Sequence, residues 1–405
     1  MLIALAWKNI WRNRSRSLVI TTAVALGLWG GIFSDAFMQG MTNQQIYAAI
    51  HNETGHLQLN RPGFLVNHDM QLFVPDADKI LDTIRQDPDV SAAAGRLQVT
   101  AMVSTASASA GILLNGIDTG KWEQVSNLPA MKQQGDFLAA PGKGQAFIGQ
   151  ELAKTLHCKI NSRILLTLQT MSGEITYASL KVTGIYKTQN SEFDKQMVWT
   201  RRQELATLLG FPENSASLLT VILKKDSETD PARNRLSRLF PSLQVQSWVQ
   251  LSPMLQVLTG TMRQTTLIFV GIILIALAFG IINTMLMAVM DRTREIGMLL
   301  SIGMSRKLVF AMIILETIFL SVTGAVIGVL LSIVTIAWTG KTGIHLTAWA
   351  EGINAWGYSS VVYPALGADF YVALALMVIG IALLAGIFPA RRALRLRPAD
   401  AVRGD

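Results

Sequence analysis

Four uninterrupted apolar stretches, at 18–38, 267–290, 308–337 and 370–388, constrain this chain more than any other feature. Each supplies about 20 residues of helix or more, the length that crosses a hydrocarbon core. The second and fourth carry no charge, the first carries only Asp35 and the third only Glu316, so burial in lipid meets little polar penalty. All four are expected to span a membrane. With half of the 405 residues hydrophobic and 15% charged, an ordinary soluble enzyme is excluded. A secretory signal is the rival reading for the first stretch, with Ser34-Asp35-Ala36 as a faint cleavage site. The basic lead and the long apolar run favour an uncleaved anchor.

Short cytoplasmic segments carry the basic excess, which orients the chain. Lys8, Arg12, Arg14 and Arg16 precede the first stretch; Arg292, Arg294, Arg306 and Lys307 follow the second; Arg391, Arg392, Arg395, Arg397 and Arg403 follow the fourth. Against these thirteen stand Asp291, Glu295, Asp400 and Asp405, whereas 338–369 holds only Lys341, Glu351 and Asp369. Both termini are therefore expected in the cytoplasm. The net charge of +8 reflects topology, not nucleic-acid binding. Ahead of the first stretch, Ile3, Trp7, Ile10 and Trp11 recur at helical spacing while Lys8 and Arg12 point elsewhere. That pattern fits a helix lying in the inner-leaflet interface, or simply a basic flank that sets orientation.

The expected organisation is an interfacial helix at 1–17, spans at 18–41, 265–290, 308–337 and 370–388, and an extracytoplasmic domain at 42–264. A cytoplasmic segment at 291–307, an outer loop at 338–369 and a basic tail at 389–405 complete it. The large domain mixes signals and reads as α+β. Leu97, Val99, Ala101 and Val103 alternate with other residues as in a half-buried strand, and 164–168, 175–182 and 219–223 are further strands. Asp76 is expected to cap a helix with Ile80, Leu81 and Ile84, Thr200 and Gln203 to form a capping box, and Asp230-Pro231 to start another helix. Two lobes joined through Gly135 to Gly149, with Pro141, Gly142 and Gly144, are compatible with the length. A helix from Ser252-Pro253 through Met290, about 38 residues or roughly 57 Å, is longer than the bilayer needs and reads as a stalk. The first span, continued to about Ile50, is expected to do the same.

Chemistry-bearing motifs are few. Gly340-Lys341-Thr342 lacks the earlier glycine of a phosphate loop, since position 335 is Thr, and no other Gly-Lys-Ser/Thr occurs. No cofactor is therefore expected on this chain. One cysteine, Cys158, and five scattered histidines exclude an intrachain disulfide and a spaced metal site. Gly27 and Gly31, Gly324 and Gly328, and Ala382 and Gly386 let helix backbones approach, within the chain or at a dimer seam. Asp35, Asn283 and Glu316 are the intramembrane polar residues. Glu316 is either functional or a carboxyl that is protonated or hydrogen-bonded to a neighbouring helix. From Asn283 to Arg306 a membrane helix ends in a polar elbow, Asp291 to Glu295, followed by a short amphipathic helix with Ile296, Leu299 and Leu300 apolar and Gly297 and Gly303 small. Such an element suits docking into a groove on a cytoplasmic partner.

This segment resembles that of the FtsX-like permeases of ABC systems, the family of MacB and the lipoprotein-releasing LolC and LolE proteins. Ala6-Trp7-Lys8-Asn9-Ile10-Trp11-Arg12-Asn13-Arg14 looks like the family's basic lead, and Glu316, Gly324 and Gly328 fall where MacB-like members carry a Glu and two glycines. Pro389-Ala390-Arg391-Arg392-Ala393 with Arg397-Pro398-Ala399-Asp400-Ala401 resembles its closing motif. Ile148-Gly149-Gln150-Glu151-Leu152-Ala153, followed by Val182-Thr183-Gly184-Ile185, is similar to its porter domain.

The resemblance implies an α-helical membrane protein of four spans with a large α+β extracytoplasmic domain between the first two, in the bacterial inner membrane. It implies two cytoplasmic ABC ATPase subunits that hold ATP and Mg²⁺, a second permease copy or paralogue, and a periplasmic carrier or adaptor. Asp291, Arg292, Thr293, Arg294, Glu295, Ile296, Gly297, Leu300 and Gly303 would form the coupling helix on the ATPase. The stalks would transmit its movement outward, the mechanism called mechanotransmission. The aromatic 338–369 loop, with Trp338, Trp349, Trp356, Tyr358 and Tyr363, is longer than the family leads one to expect and suits the outer interface or a lateral lid. Residues 38–59 look more like the lipoprotein-releasing branch, while Glu316 leans toward MacB. The expected function is ATP-driven release of a lipidated or amphipathic cargo. MacB-like tripartite efflux of peptides or drugs and FtsX-like regulation of a cell-wall hydrolase are the alternatives. Four spans and no inverted repeat disfavour a secondary transporter.

Overall fold

The computed structural model describes residues 14–138, 142–355 and 357–394. The expected lead helix around Ile3, Trp7, Lys8, Ile10, Trp11 and Arg12, Pro141, Trp356 and the closing residues from Arg395 through Arg397 to Arg403 lie outside them. The described residues fall into two compact units, one within Met1–Met41, Thr259–His345 and Val361–Asp405, the other Thr42–Leu258 with Leu346–Ser360.

Four helices are long and apolar enough to cross a membrane: α1 (Arg14–Ala48), α2 (Pro253–Asp291), α4 (Arg306–Thr342) and α5 (Ala368–Leu394), with the short α3 (Thr293–Ser301) between α2 and α4. In the first unit α1 buries Ile20, Val24, Leu28, Ile32 and Ala36, one residue per helical turn. On α2 the buried row is Val270, Leu274, Leu277, Ile281, Met285 and Val289; on α5 it is Leu374, Val378, Ala382 and Ala385. This is the 3.6-residue period of a helix face packed on others. The opposite faces stay apolar too, as at Ile268, Phe269, Ile272 and Phe279. In lipid such packing is driven by close contact, since the tails are as apolar as the side chains.

The small residues set that contact. A Cβ at Gly324 would lie 2.9 Å from the Thr21 carbonyl oxygen, and one at Gly328 would lie 2.7 Å from that of Ala25, so α4 meets the backbone of α1 directly. Gly27 and Gly31 face Leu277 and Ile273 of α2, and Gly386 faces Ile314 and Thr317 of α4. All five glycines thus pack within the chain. The Trp29 indole N–H donates to Thr335 Oγ1 at 3.1 Å beside the α1/α4 contact. Pro389 sits inside α5, which continues to Leu394 rather than ending before the basic residues Arg391 and Arg392.

The second unit is built on ten strands: β1 (Leu57–Asn60), β2 (Val90–Ser104), β3 (Ser109–Ile117), β4 (Lys132–Gly135), β5 (Gln145–Gly149), β6 (Arg163–Gln169), β7 (Ile175–Tyr186), β8 (Met197–Arg201), β9 (Leu218–Leu223) and β10 (Gln244–Ser247). Six of them close a ring. β2 pairs with β3, β3 with β8, β8 with β5, β5 with β7, β7 with β6, and β6 returns to β2 through Met102, Val103 and Ser104. Ile164, Leu166 and Leu168 of β6 point into the ring and join Leu97, Val99, Ile112, Ile148 and Val182. The first half of the 15-residue β2 leaves the ring to pair with β9, which continues to β1 and β10. Helices Ala77–Arg85 and Thr229–Leu239 supply Leu81, Ile84, Ala232 and Leu236 to the core beside that extension.

Several local expectations are corrected. The sheet is continuous, and both ends of the 135–149 stretch pair with β7, so it joins two strands of one sheet rather than two lobes. Asp76 precedes its helix in a left-handed conformation, makes no side-chain cap and pairs with Lys79 instead. Thr200 lies in β8 and donates to the Gln145 carbonyl at 2.9 Å, so the capping box with Gln203 does not form. Asp230 and Pro231 lie inside the first turn of a helix that starts at Thr229. Within the aromatic loop, Leu346–Ser360 clusters with the second unit.

Two buried groups tie this unit together. Arg96 stands over Trp122 at 5.5 Å and Trp199 at 6.0 Å and donates to the Glu53 main-chain carbonyl at 3.3 Å. Desolvation lowers its pKa to about 10. Asp194 accepts from Thr188 N and Thr188 Oγ1. Burial, partly opposed by these bonds, pushes its carboxyl up to about 7.

Two outcomes follow. Gly328→Ala should lower the melting temperature in detergent through an overpacking cost of about 1–3 kcal/mol. Gly30→Ala, with nothing within 4 Å of the new methyl, should not; equal effects would refute the close approach. Because the Asp194 pKa is raised on folding, its contribution is full below about pH 4 and is lost as pH rises through about 7. Denaturant unfolding followed by Trp fluorescence should therefore show stability declining over that window. Asp194→Asn should flatten the decline, leaving the part due to Glu53, whose carboxyl burial also raises.

Candidate functional site

The α2–α3–α4 elbow is where the sequence concentrated its candidates. α2 ends at Asp291, and Arg292 alone leaves helical geometry, with φ −101° and ψ 17°, while its carbonyl accepts Ile296 N at 2.9 Å. The polar elbow expected to run to Glu295 is thus one residue long, and Thr293, Arg294 and Glu295 form the first turn of α3. The far end of α3 is fixed by a Schellman closure: Met304 N donates to the Leu299 carbonyl at 3.0 Å and Gly303 N to that of Leu300 at 3.2 Å. Gly303 has φ +98°, a conformation costly for any residue with a Cβ. Ser305 then leads into α4.

α3 divides its faces. Ile296 and Gly297 are buried and Leu300 packs against the membrane-unit core. Arg294 is exposed, as are Met298 at 53% and, four residues on, Ile302 at 85%. Such an apolar pair with no cover suits an amphipathic helix that lies in another protein's groove. Met298 and Ile302 also line a cavity of about 460 Å³, alongside Met285, Ala288, Leu299 and Met312, with Arg292 and Glu316 at its wall.

Arg292 Nη1 lies 2.8 Å from Glu316 Oε1, both side chains little exposed. The sequence singled out both residues for different reasons and did not join them. Glu316 is a paired carboxylate, and Arg292 is its partner. The signal existed: a carboxylate within a span calls for a basic partner, and the cations nearest its end were Arg292, Arg294, Arg306 and Lys307. Asp35 is likewise satisfied, accepting from Thr266 Oγ1 at 2.7 Å and Gln39 Nε2 at 3.0 Å. Asn283 is exposed on α2, apart from both clusters. Among the described residues no group of His, Cys, Asp and Glu is arranged to hold a metal.

Removing either partner of the Arg292/Glu316 pair should cost stability by about 3–5 kcal/mol, because the other charge is left buried. The double variant Arg292→Met with Glu316→Leu should recover most of it. Detergent melting of the four forms tests this as a double-mutant cycle; additive losses would mean the two side chains do not interact.

In the second unit a cavity of about 790 Å³ has an apolar floor including Leu114, Leu166, Leu180 and Leu208, and Lys143, Arg201 and Glu204 also line it. A smaller one of about 270 Å³ lies against Ala49–Thr54, a π-helical turn that follows α1 directly.

Two family models match the chain: the FtsX-like permease C-terminal model over residues 267–398 and the MacB-like periplasmic core domain model over residues 17–239. Among curated proteins, the lipoprotein-releasing system transmembrane protein LolC of Neisseria meningitidis is 23% identical over 96% of this chain and 94% of its own length. The corresponding LolE of Haemophilus influenzae is 22% identical over 78% of each. The macrolide export ATP-binding/permease protein MacB of Chlorobium luteolum is 28% identical over 42% of this chain and 23% of its own length. Because the periplasmic core model alone spans more than half of the sequence and the permease model covers α2 to α5, the chain belongs to the FtsX-like ABC transporter permeases that carry a MacB-like periplasmic core domain.

Proposed function

We propose that this permease takes the push of ATP hydrolysis from separate cytoplasmic ATPase subunits and passes it through its long helices to the extracytoplasmic domain, releasing lipoproteins from the inner membrane. The observation that carries the substrate class is the near end-to-end match to a lipoprotein-releasing transmembrane protein, against partial matches to macrolide exporters. In this reading two ATPase subunits hold ATP and Mg²⁺, a second permease copy or paralogue completes the membrane part, both termini are cytoplasmic, and a periplasmic carrier receives the cargo.

The helix lengths support transmission. α1 and α2, of 35 and 39 residues, extend roughly 52 and 58 Å, well beyond a hydrocarbon core of about 30 Å. Each runs without a break past the residue where the chain changes unit, 41/42 in α1 and 258/259 in α2. A rigid rod needs no binding cavity in the bilayer to carry displacement. The exposed Arg294, Met298 and Ile302 are the surface we assign to the ATPase. Arg292 acts differently, bracing the elbow against α4 through Glu316, so that movement of α3 reaches two spans at once. The apolar-floored 790 Å³ cavity is of a size that takes a small amphipathic ligand. The macrolide exporters keep a second reading in play, export of peptides or drugs, because their identity over the aligned region is higher.

Ile302→Asp and Met298→Pro should each weaken co-purification of the ATPase about tenfold or more while leaving the outer domain folded. Proteoliposomes holding the pair should release a lipoprotein to a soluble carrier only with ATP. Release that needs no ATP, or nucleotide turnover by the purified chain alone, would sink the proposal; efflux of a macrolide without lipoprotein release would select the second reading.

A further inference from the structure

The smaller cavity, entirely within the second unit, has a lining that the transport reading does not use. One wall is the π-helical turn Ala49–Thr54, which turns Asn52 and Glu53 toward it together. The facing wall is the loop Thr188, Gln189 and Asn190, with Ser252 closing one side. That loop is held firmly. Thr188 N and Oγ1 donate to Asp194, Asn190 N donates to Thr188 Oγ1 at 3.1 Å, and Asn190 Oδ1 accepts from the N–H groups of Glu192 and Phe193. Its orientation fixed in this way, the Asn190 amide donates from Nδ2 to Glu53 Oε1 at 3.0 Å.

Gln45, Asn52, Gln189 and Ser252 bring both donors and acceptors to the lining, and two of the acceptors stand out. Asn52 is 97% buried, and its Oδ1 has no hydrogen-bond partner among the described residues; the same holds for Gln189 Oε1. Orphaned buried oxygens of this kind cost about 1–3 kcal/mol each and call for a donor. Glu53 lines the cavity with them. No lysine or arginine lines the cavity. Buried Arg96 reaches the Glu53 main-chain carbonyl, stands over two indoles, and its charge also favours the ionised Glu53 carboxylate against the burial that raises its pKa. The lining therefore offers orphaned amide oxygens beside one carboxylate, and no Lys or Arg of its own.

We propose that this cavity binds a primary ammonium group, held by the Glu53 carboxylate and the side-chain oxygens of Asn52 and Gln189. An ammonium presents three N–H donors and a positive charge, which matches three acceptors, one of them anionic. A volume of about 270 Å³ leaves room for a short alkyl stem and some water. Calcium would want six to eight oxygens and more than one carboxylate. The assignment does not depend on the transport reading. The ammonium could arrive as a free amine or on the aminoethyl headgroup of a lipid, and the chemistry of capture is the same.

The test uses the full chain in detergent, followed by thermal shift and calorimetry at constant ionic strength. Ethylammonium and butylammonium chloride should stabilise the protein, whereas tetramethylammonium and sodium, which lack N–H donors, should not. Glu53→Gln, nearly isosteric, should weaken ethylammonium binding about tenfold or more, and Asn52→Asp, which adds a second charge, should tighten it. Nanodiscs with and without phosphatidylethanolamine separate the two sources: competition between the lipid and the free amine assigns the headgroup, and its absence assigns the soluble amine. An equal response to tetramethylammonium, no response to any amine, or unchanged binding by Glu53→Gln in a protein of native melting temperature would overturn the assignment.

Discussion

Hydrocarbon supplies no hydrogen bonds, so polar groups carried into the four long helices are stabilised by partners inside the protein, and several find them. Asp35 finds Thr266 and Gln39, the Trp29 indole finds Thr335, and Ser332 donates back to the Gly328 carbonyl. Glu316 finds Arg292 across the elbow. These pairings tie α1 to α2, α1 to α4, and the end of α2 to α4, which is the wiring that close packing at Gly324 and Gly328 also enforces. In this unit the polar pairs and the small residues together mark which helices are neighbours. The apolar ones, uniform around each helix, do not.

The outer unit is held by a different economy. Water is available, so its cohesion comes from apolar burial inside the strand ring and from aromatic packing around Trp122, Trp199, Tyr186, Phe147 and Phe193. Arg96 in that aromatic cluster is an uncommon choice, since a buried guanidinium needs compensation. It receives two indole faces and one carbonyl. Those contacts fix the π-helical turn whose carbonyl it holds, and so couple the aromatic core to the place where α1 ends.

The sequence disclosed most where the physical signal is local. Length and composition are enough to identify a span, and the period-two alternation at Leu97 to Val103 is enough to identify a strand. The segments 164–168, 175–182 and 219–223 are all strands, and the long helix from Pro253 is observed to Asp291. Ring closure was out of reach, because β2 meets β6 only across some sixty residues and either strand reads alike in an open sheet. The caps failed for a related reason: Thr200 has a tertiary partner, Gln145, that competes better than its own helix. Of the candidate site, the short helix and its glycine were legible, while the Arg292/Glu316 pair joins two segments whose spacing carries no periodic signature. The cavity beside Glu53 left no trace at all, since its lining comes from four distant stretches rich in ordinary Asn, Gln, Thr and Ser.

One feature of the sheet bears on how such a chain could be assembled in the first place. β1 and β10, the first and last strands of the outer unit, are hydrogen-bonded neighbours, Leu57 facing Ser247. A fold whose two ends leave side by side behaves as a cassette. The stretch from Leu57 to Ser247 can be spliced between consecutive helices, exchanged for a relative's version, or excised, with the flanking polypeptide needing to bridge only one strand spacing of about 5 Å.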